Sequence, residues 1–384
     1  MKINLYLTLL LFVLTIYSTS LFAQSRIKEI IYVGTNSERG SKGIYVLEFD
    51  RSSGELDLIQ TISNKKSPNF LAVHPQGKYL FSVNSQGLDQ MPDWGSVTSW
   101  AIDQNSGKLS IINEQPTYGK GPCHISVYPG GKWIFISNYS DGIVSILPIT
   151  QEGKIGASSQ RMQLVGSSVD PKRQKGPHTH SAISTLDGSY LYVSDLGIDK
   201  VMIYKFGNRN GTIVPAKQPW AKVTDGAGPR HFVIHPNNEL AFLAEEISST
   251  VNAFRVNPND GSLTSYYRNT TLPKGYTGPN KVADIHLNHS GTKLYVSNRG
   301  HNSIAIFDVN GENGDIKYVK TVPSGGETPR NFMIEPSGQF AFVANQKSDN
   351  LVLFHLDEQG ILIQTDKSIN IPAPVCVKYL MISK

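Results

Sequence analysis

Residues Gly228 to Thr250 read GPRHFVIHPNNELAFLAEEISST. An apolar run from Phe232 to His235 and another from Leu240 to Ala244 flank Pro236, Asn237 and Asn238, and Glu245 and Glu246 follow. Two short apolar runs around a Pro-Asn turn predict a β-hairpin. In an antiparallel pair the start of the first strand lies beside the end of the second. Arg230 and Glu246 are therefore expected to meet.

The same unit recurs along the chain. PNFLAVHPQGKYLFSVN ends at Asn84, PCHISVYPGGKWIFISN at Asn138 and HSAISTLDGSYLYVSD at Asp195. After Glu245, ADIHLNHSGTKLYVSN ends at Asn298 and PRNFMIEPSGQFAFVAN at Asn345. These six ends are spaced by 54, 57, 50, 53 and 47 residues. An all-strand repeat of roughly 40–50 residues is the signature of a propeller, in which each blade is a four-stranded sheet. The two remaining strands of a blade are legible too, as in GSVTSWAID and KLSIINEQP after Asn84, or TVNAFRVNP and SLTSYYRNT after Glu246.

Six complete hairpins are accompanied by two halves. Ile31 to Thr35 (IYVGT) matches only a second strand, and Pro374 to Leu380 (PVCVKYL) only a first. Joined, they make a seventh. The expected fold is an all-β, seven-bladed β-propeller with four antiparallel strands per blade, closed by pairing the C-terminal strand with the N-terminal strands so that no edge is left open.

Residues 1–23 begin Met1-Lys2, run apolar from Leu5 to Ile16 and end in Ala23, the pattern of a secretory signal peptide. Residues 24–384 are then one propeller domain, periplasmic or secreted, with no membrane association once the signal is removed. The formal charge of +5 becomes +4 without Lys2 and is evenly scattered, whereas nucleic-acid binding calls for a basic stripe. The densest basic group, Lys172, Arg173 and Lys175, reads as solvated loop charge. Cys123 and Cys376 fall in blades separated by another blade, beyond the roughly 7 Å limit for a bridge, and are expected as two free, buried thiols. Adjacent strand residues point to opposite faces, which argues against a Cys123–His124 nucleophilic pair. A Gly-x-Ser-x-Gly nucleophile elbow is missing from the sequence.

What remains is a set of polar residues at one end of the hairpins. His124, His180, Arg230, Asp284, His286 and Arg330 stand at or just before starts of first strands, and Glu246 and Arg299 just after ends of second strands. All eight are expected at one face of the disc, around the channel lined by the first strands. A wet channel carries some polar residues simply to be solvated. Eight converging charged or titratable groups exceed that need.

The motifs Gly176-Pro177-His178-Thr179-His180-Ser181, Gly228-Pro229-Arg230-His231, Ala283-Asp284-Ile285-His286, Ser297-Asn298-Arg299-Gly300-His301 and Thr328-Pro329-Arg330 resemble the seven-bladed propeller lactonases. That family includes the propeller-type 6-phosphogluconolactonases and the carboxymuconate cyclases, and the likeness runs from Ile31 to Tyr379. The resemblance implies hydrolysis of a sugar lactone, with His180 as base, Arg230 and Arg299 as anion-binding arginines and Glu246 as site carboxylate. His124, His178, Asp284, His286 and Arg330 are the expected further substrate contacts, and the substrate a small anionic lactone. Neither cofactor nor metal is expected, although His178 and His180, two residues apart, leave a metallohydrolase as an alternative. Lactonising cyclase activity and a non-catalytic exported binding propeller are the other two. The chain departs from the family in having Glu245 where Asn usually precedes the site glutamate, and a second carboxylate is expected to raise its neighbour's pKa.

Overall fold

A computed structural model describes residues 27–383, so the signal-peptide reading of residues 1–23 lies outside the described residues. Among the described residues, twenty-eight strands form seven four-stranded antiparallel sheets. The innermost strands, each packed beside the next around a closed ring, are Pro374–Ile382 in blade 1, Pro68–Val73 in blade 2, Pro122–Val127 in blade 3 and Thr179–Ser184 in blade 4. Blades 5, 6 and 7 contribute Pro229–Ile234, Lys281–Leu287 and Pro329–Ile334. Blade 1 is composite, as expected from the two half-hairpins: Pro374–Ile382 pairs with Lys28–Thr35, which continues into Gly43–Asp50 and Glu55–Ser63.

Second strands read as unbroken apolar runs because both of their faces are covered. Leu240–Glu245 of blade 5 is buried at every position, since Leu240, Phe242 and Ala244 pack on blade 6 and Ala241 and Leu243 on blade 4. Strands buried on both sides lose the alternation of a half-exposed strand. Outermost strands show the reverse, with Leu362–Asn370 largely alternating between exposed and half-buried positions.

The hairpin turns take a left-handed residue, usually Gly. In blade 5 that place is filled by Asn238, at φ 60°, whose N–H donates to His235 O at 2.8 Å; Asn tolerates this conformation better than most residues with a side chain. His235 Nε2 meets Gly291 O of blade 6 at 3.2 Å, as His74 Nε2 of blade 2 meets Gly131 O of blade 3 at 3.0 Å. The His-Pro turns thus staple neighbouring blades together.

Candidate active site

Each innermost strand carries a β-bulge near its start, and the bulges decide which side chains turn into the channel. In blade 5 Pro229 pairs with Glu245 and Phe232 with Leu243, so Arg230 and His231 together face one partner residue. The same slip leaves Cys123, His180 and Arg330 extra in blades 3, 4 and 7, and Ala283 with Asp284 in blade 6. An extra residue leaves the ladder and its side chain is re-aimed. Five of these bulges follow directly on Pro68, Pro122, Pro229, Pro329 or Pro374, and proline has no N–H to continue the ladder.

At this end Glu246 is the centre. Its carboxylate accepts from Arg173 at 2.7 Å, Arg230 Nε at 3.1 Å and Arg299 at 2.7 Å, so Arg230 and Glu246 meet as their hairpin predicts. Burial alone would raise the Glu246 carboxyl, but the Arg299 and Arg230 charges outweigh it and hold it well below the usual range. Burial, with the charges of Arg299 and Arg330, lowers Arg230 to about 9, which leaves it a cation at neutral pH. Three guanidiniums around one carboxylate leave an excess of positive charge, and buried Arg299 Nε has no hydrogen-bond partner.

His180 lies beside this cluster, its Nε2 3.9 Å from Glu246, too far for a direct hydrogen bond. Burial first, then Arg230 and His231, hold its imidazole well below the ordinary value, so it is neutral at pH 7. Tyr139 packs against His180 edge-on at 5.4 Å and stacks on His178 at 4.5 Å. His178 itself is tied to Tyr139 O at 2.8 Å. Among the described residues no group of three or more His, Cys, Asp or Glu side chains is placed to hold a metal ion.

Several expectations are corrected here. Arg173 is not mere loop charge: Asp170 Oδ1 accepts from the backbone N–H of Lys172 and Arg173, and the turn so formed delivers the Arg173 side chain to Glu246 and Tyr139. Glu245 does not raise Glu246, because it points into its own blade and accepts from Asn252 and Arg268 at 3.0 and 2.6 Å. Cys123 is free but only half-buried, and its Sγ lies 3.7 Å from His180 Nδ1 of the next blade. Desolvation pushes that thiol up to about 12, against the pull of Arg230 and Arg330, so it stays protonated.

Nor do all eight polar residues share one end. Arg330 lies near Arg299, whose charge, after burial, lowers its pKa. His124, Asp284 and His286 sit deeper in the channel, because Asp284 and His286 are three and five residues into their strand and each residue advances about 3.3 Å. There Asp284 accepts from His231 Nδ1 at 2.6 Å and His286 Nε2 at 2.8 Å. His231 spans the two levels, 5.4 Å from His180 and 5.5 Å from His124 between ring centroids. The sequence signal for it was its place beside Arg230 in the bulge.

The buried imidazoles make stability acid-sensitive. His124, His180 and His231 are all held below the ordinary histidine pKa, burial being the largest cause in each, and His231 lies at about 4. In the unfolded chain they titrate near about 6.5. Stability is therefore fully present above that pH and is lost as pH falls toward the folded values, by up to about 3 kcal/mol for His231 alone. A urea midpoint that drops between pH 7 and 5 is expected; one that stays flat over that range would mean the imidazoles charge freely in the folded state.

Comparison with known proteins follows the same lines. The family described as "Lactonase, 7-bladed beta-propeller" matches residues 30–379. A 6-phosphogluconolactonase of Bacillus subtilis is 33% identical over 354 residues, 92% of this chain and 99% of that one. A 6-phosphogluconolactonase of Formosa agariphila is 36% identical over 352 residues, covering 90% and 96%. Among solved structures, the periplasmic gluconolactonase of Pseudomonas aeruginosa superposes with a TM-score of 0.86 at 30% identity, over 93% of this chain and 100% of the other.

Proposed function

Because the chain belongs to the seven-bladed β-propeller lactonase family, we propose that it is an exported hydrolase that opens a small anionic sugar lactone at the Glu246 cluster. The relatives named 6-phosphogluconolactonase and gluconolactonase support the reaction class. The periplasmic relative and the signal-like residues 1–23 support export. The observation that carries the site is the convergence of Arg173, Arg230 and Arg299 on one carboxylate beside a neutral histidine.

In this mechanism His180 takes a proton from water as the water oxygen attacks the lactone carbonyl carbon. The oxyanion that forms is met by an arginine, for which Arg299, with its unpartnered Nε, and Arg230 are the candidates. The ring C–O bond then breaks, and the imidazolium returns its proton to the departing alkoxide. No covalent enzyme intermediate is needed, since a protonated Cys123 thiol is a poor nucleophile. Glu246 holds the guanidiniums at fixed spacing; the remaining positive charge receives a carboxylate or phosphate of the substrate.

A lactone panel on purified protein, read as acid release with and without chelator and with a muconate alongside, tests the reaction class. Hydrolysis of an aldonolactone that survives EDTA is expected. Turnover of the muconate alone would assign a cyclase, and loss in EDTA with recovery on adding a metal would assign the His178 and His180 metal alternative.

Arg299→Ala refines the charge argument. Glu246 keeps Arg173 and Arg230, so the site is not left with an unpaired carboxylate. Loss of one charged hydrogen bond, about 1.5–3 kcal/mol, is expected to reduce kcat/KM for phosphorylated or carboxylated lactones more than for neutral ones. Equal losses on both classes would assign Arg299 to the carbonyl oxygen instead.

A further inference from the structure

The far end of the channel holds a second polar cluster that the arginine site leaves unused. A cavity of about 460 Å³ opens there, between the later residues of the innermost strands, from Val73 and Ser126 to Ser184 and Ile234. Arg230, Glu246 and Arg299 take no part in its lining.

Its chemistry is specific. Burial alone would raise the Asp284 carboxyl, but His286 and His231 hold it well below the usual range, so it is ionised and only accepts. It takes hydrogen bonds from His231 Nδ1, His286 Nε2, Asn331 Nδ2 and Phe332 N. His231 Nδ1 must then carry the proton, which leaves Nε2 as an acceptor. That Nε2 is buried without a partner, as is His124 Nδ1, and both residues line the cavity and are less than 10% exposed. Lys378 also lines it, its ammonium 4.9 Å above the Phe70 ring. Among the described residues Lys378 has no carboxylate within ion-pair reach. Ile183, Ile234 and Met333 form apolar wall.

We propose that this cavity is a second ligand site, for a small hydroxy-carboxylate: Lys378 takes the carboxylate, His231 Nε2 accepts from a hydroxyl, and the apolar wall covers the carbon chain. A cation is disfavoured, because the carboxylate lining the cavity is already filled by four donors and Lys378 repels it. Lactone opening releases a hydroxy acid, so under the function proposed above the site would hold product; that link rests on the proposed function, but the site itself does not.

Calorimetric titration of the purified protein with sodium D-gluconate, with D-glucitol as the uncharged control, tests the site. Saturable gluconate binding without glucitol binding is expected. Lys378→Met, which keeps a stem over Phe70, is expected to weaken it by about 10- to 100-fold, the usual worth of a charged hydrogen bond. Ser184→Trp, which fills the cavity, is expected to abolish it, and supplies a second reading where Lys378→Met does not fold. Binding through Lys378 persists in Arg299→Ala, and a two-site isotherm that loses a different site in Lys378→Met and Arg299→Ala supports the same assignment. Gluconate binding lost in Arg299→Ala and unchanged in both cavity variants overturns the proposal, as does the absence of binding to the wild type at tens of millimolar.

Discussion

Removal of Pro374 to Lys384 is expected to leave a chain that is insoluble or melts far below the parent. The segment is the innermost strand of blade 1, paired with Lys28–Thr35 along that strand's whole length. Without it the neighbouring strand presents unpaired N–H and C=O groups to the channel, and blades 2 and 7 lose the strand that each packs against. Val375, Val377, Tyr379 and Ile382 are each less than 10% exposed. At about 1.5–3 kcal/mol per buried side chain their loss amounts to roughly 6–12 kcal/mol, as large as the whole stability of a typical domain. Tyr379 also donates to Glu29 at 2.8 Å, tying the two termini by a side-chain bond. Thermal denaturation followed by circular dichroism measures the effect. A truncated protein with the parent Tm would show that the ring does not depend on its closing strand.

His180→Ala is expected to lower kcat/KM by about 10²–10⁴-fold, the usual span for a general base, with the melting temperature little changed. The pH profile separates this role from a packing role. With the imidazole held below its ordinary pKa by burial and by Arg230, the neutral base persists to lower pH than a solvated histidine would allow. The acid limb of kcat/KM is therefore expected below about pH 6.5, and in His180→Ala the residual activity is expected to lose that limb. An Ala variant that retains full activity would move the proton transfer to another group, His231 being the nearest imidazole.

The composite blade, the blade count and the meeting of Arg230 with Glu246 were legible because each depends on local pattern. Apolar runs, Pro-Asn and Pro-Gly turns and the period of the strand ends are short-range properties, and antiparallel pairing converts them directly into neighbours in space. Ring closure followed from the two unmatched half-hairpins, since an all-β chain leaves no other partner for either edge.

Which polar side chains share a site was settled by tertiary structure, at the level of single residues. Counting from strand starts placed His124, Asp284 and His286 with the arginines, whereas strand rise and the bulges carry them toward the opposite mouth. Arg173 reaches Glu246 from a loop between blades 3 and 4, and Cys123 reaches His180 across a blade boundary. Glu245 and Glu246 are neighbours in the chain yet serve different surroundings, one inside its blade and the other in the channel. Sequence period determines the ring, because each blade is a local unit. The site is decided only when seven bulged strands are brought around one axis, where a displacement of one residue sends a side chain to another level or another face.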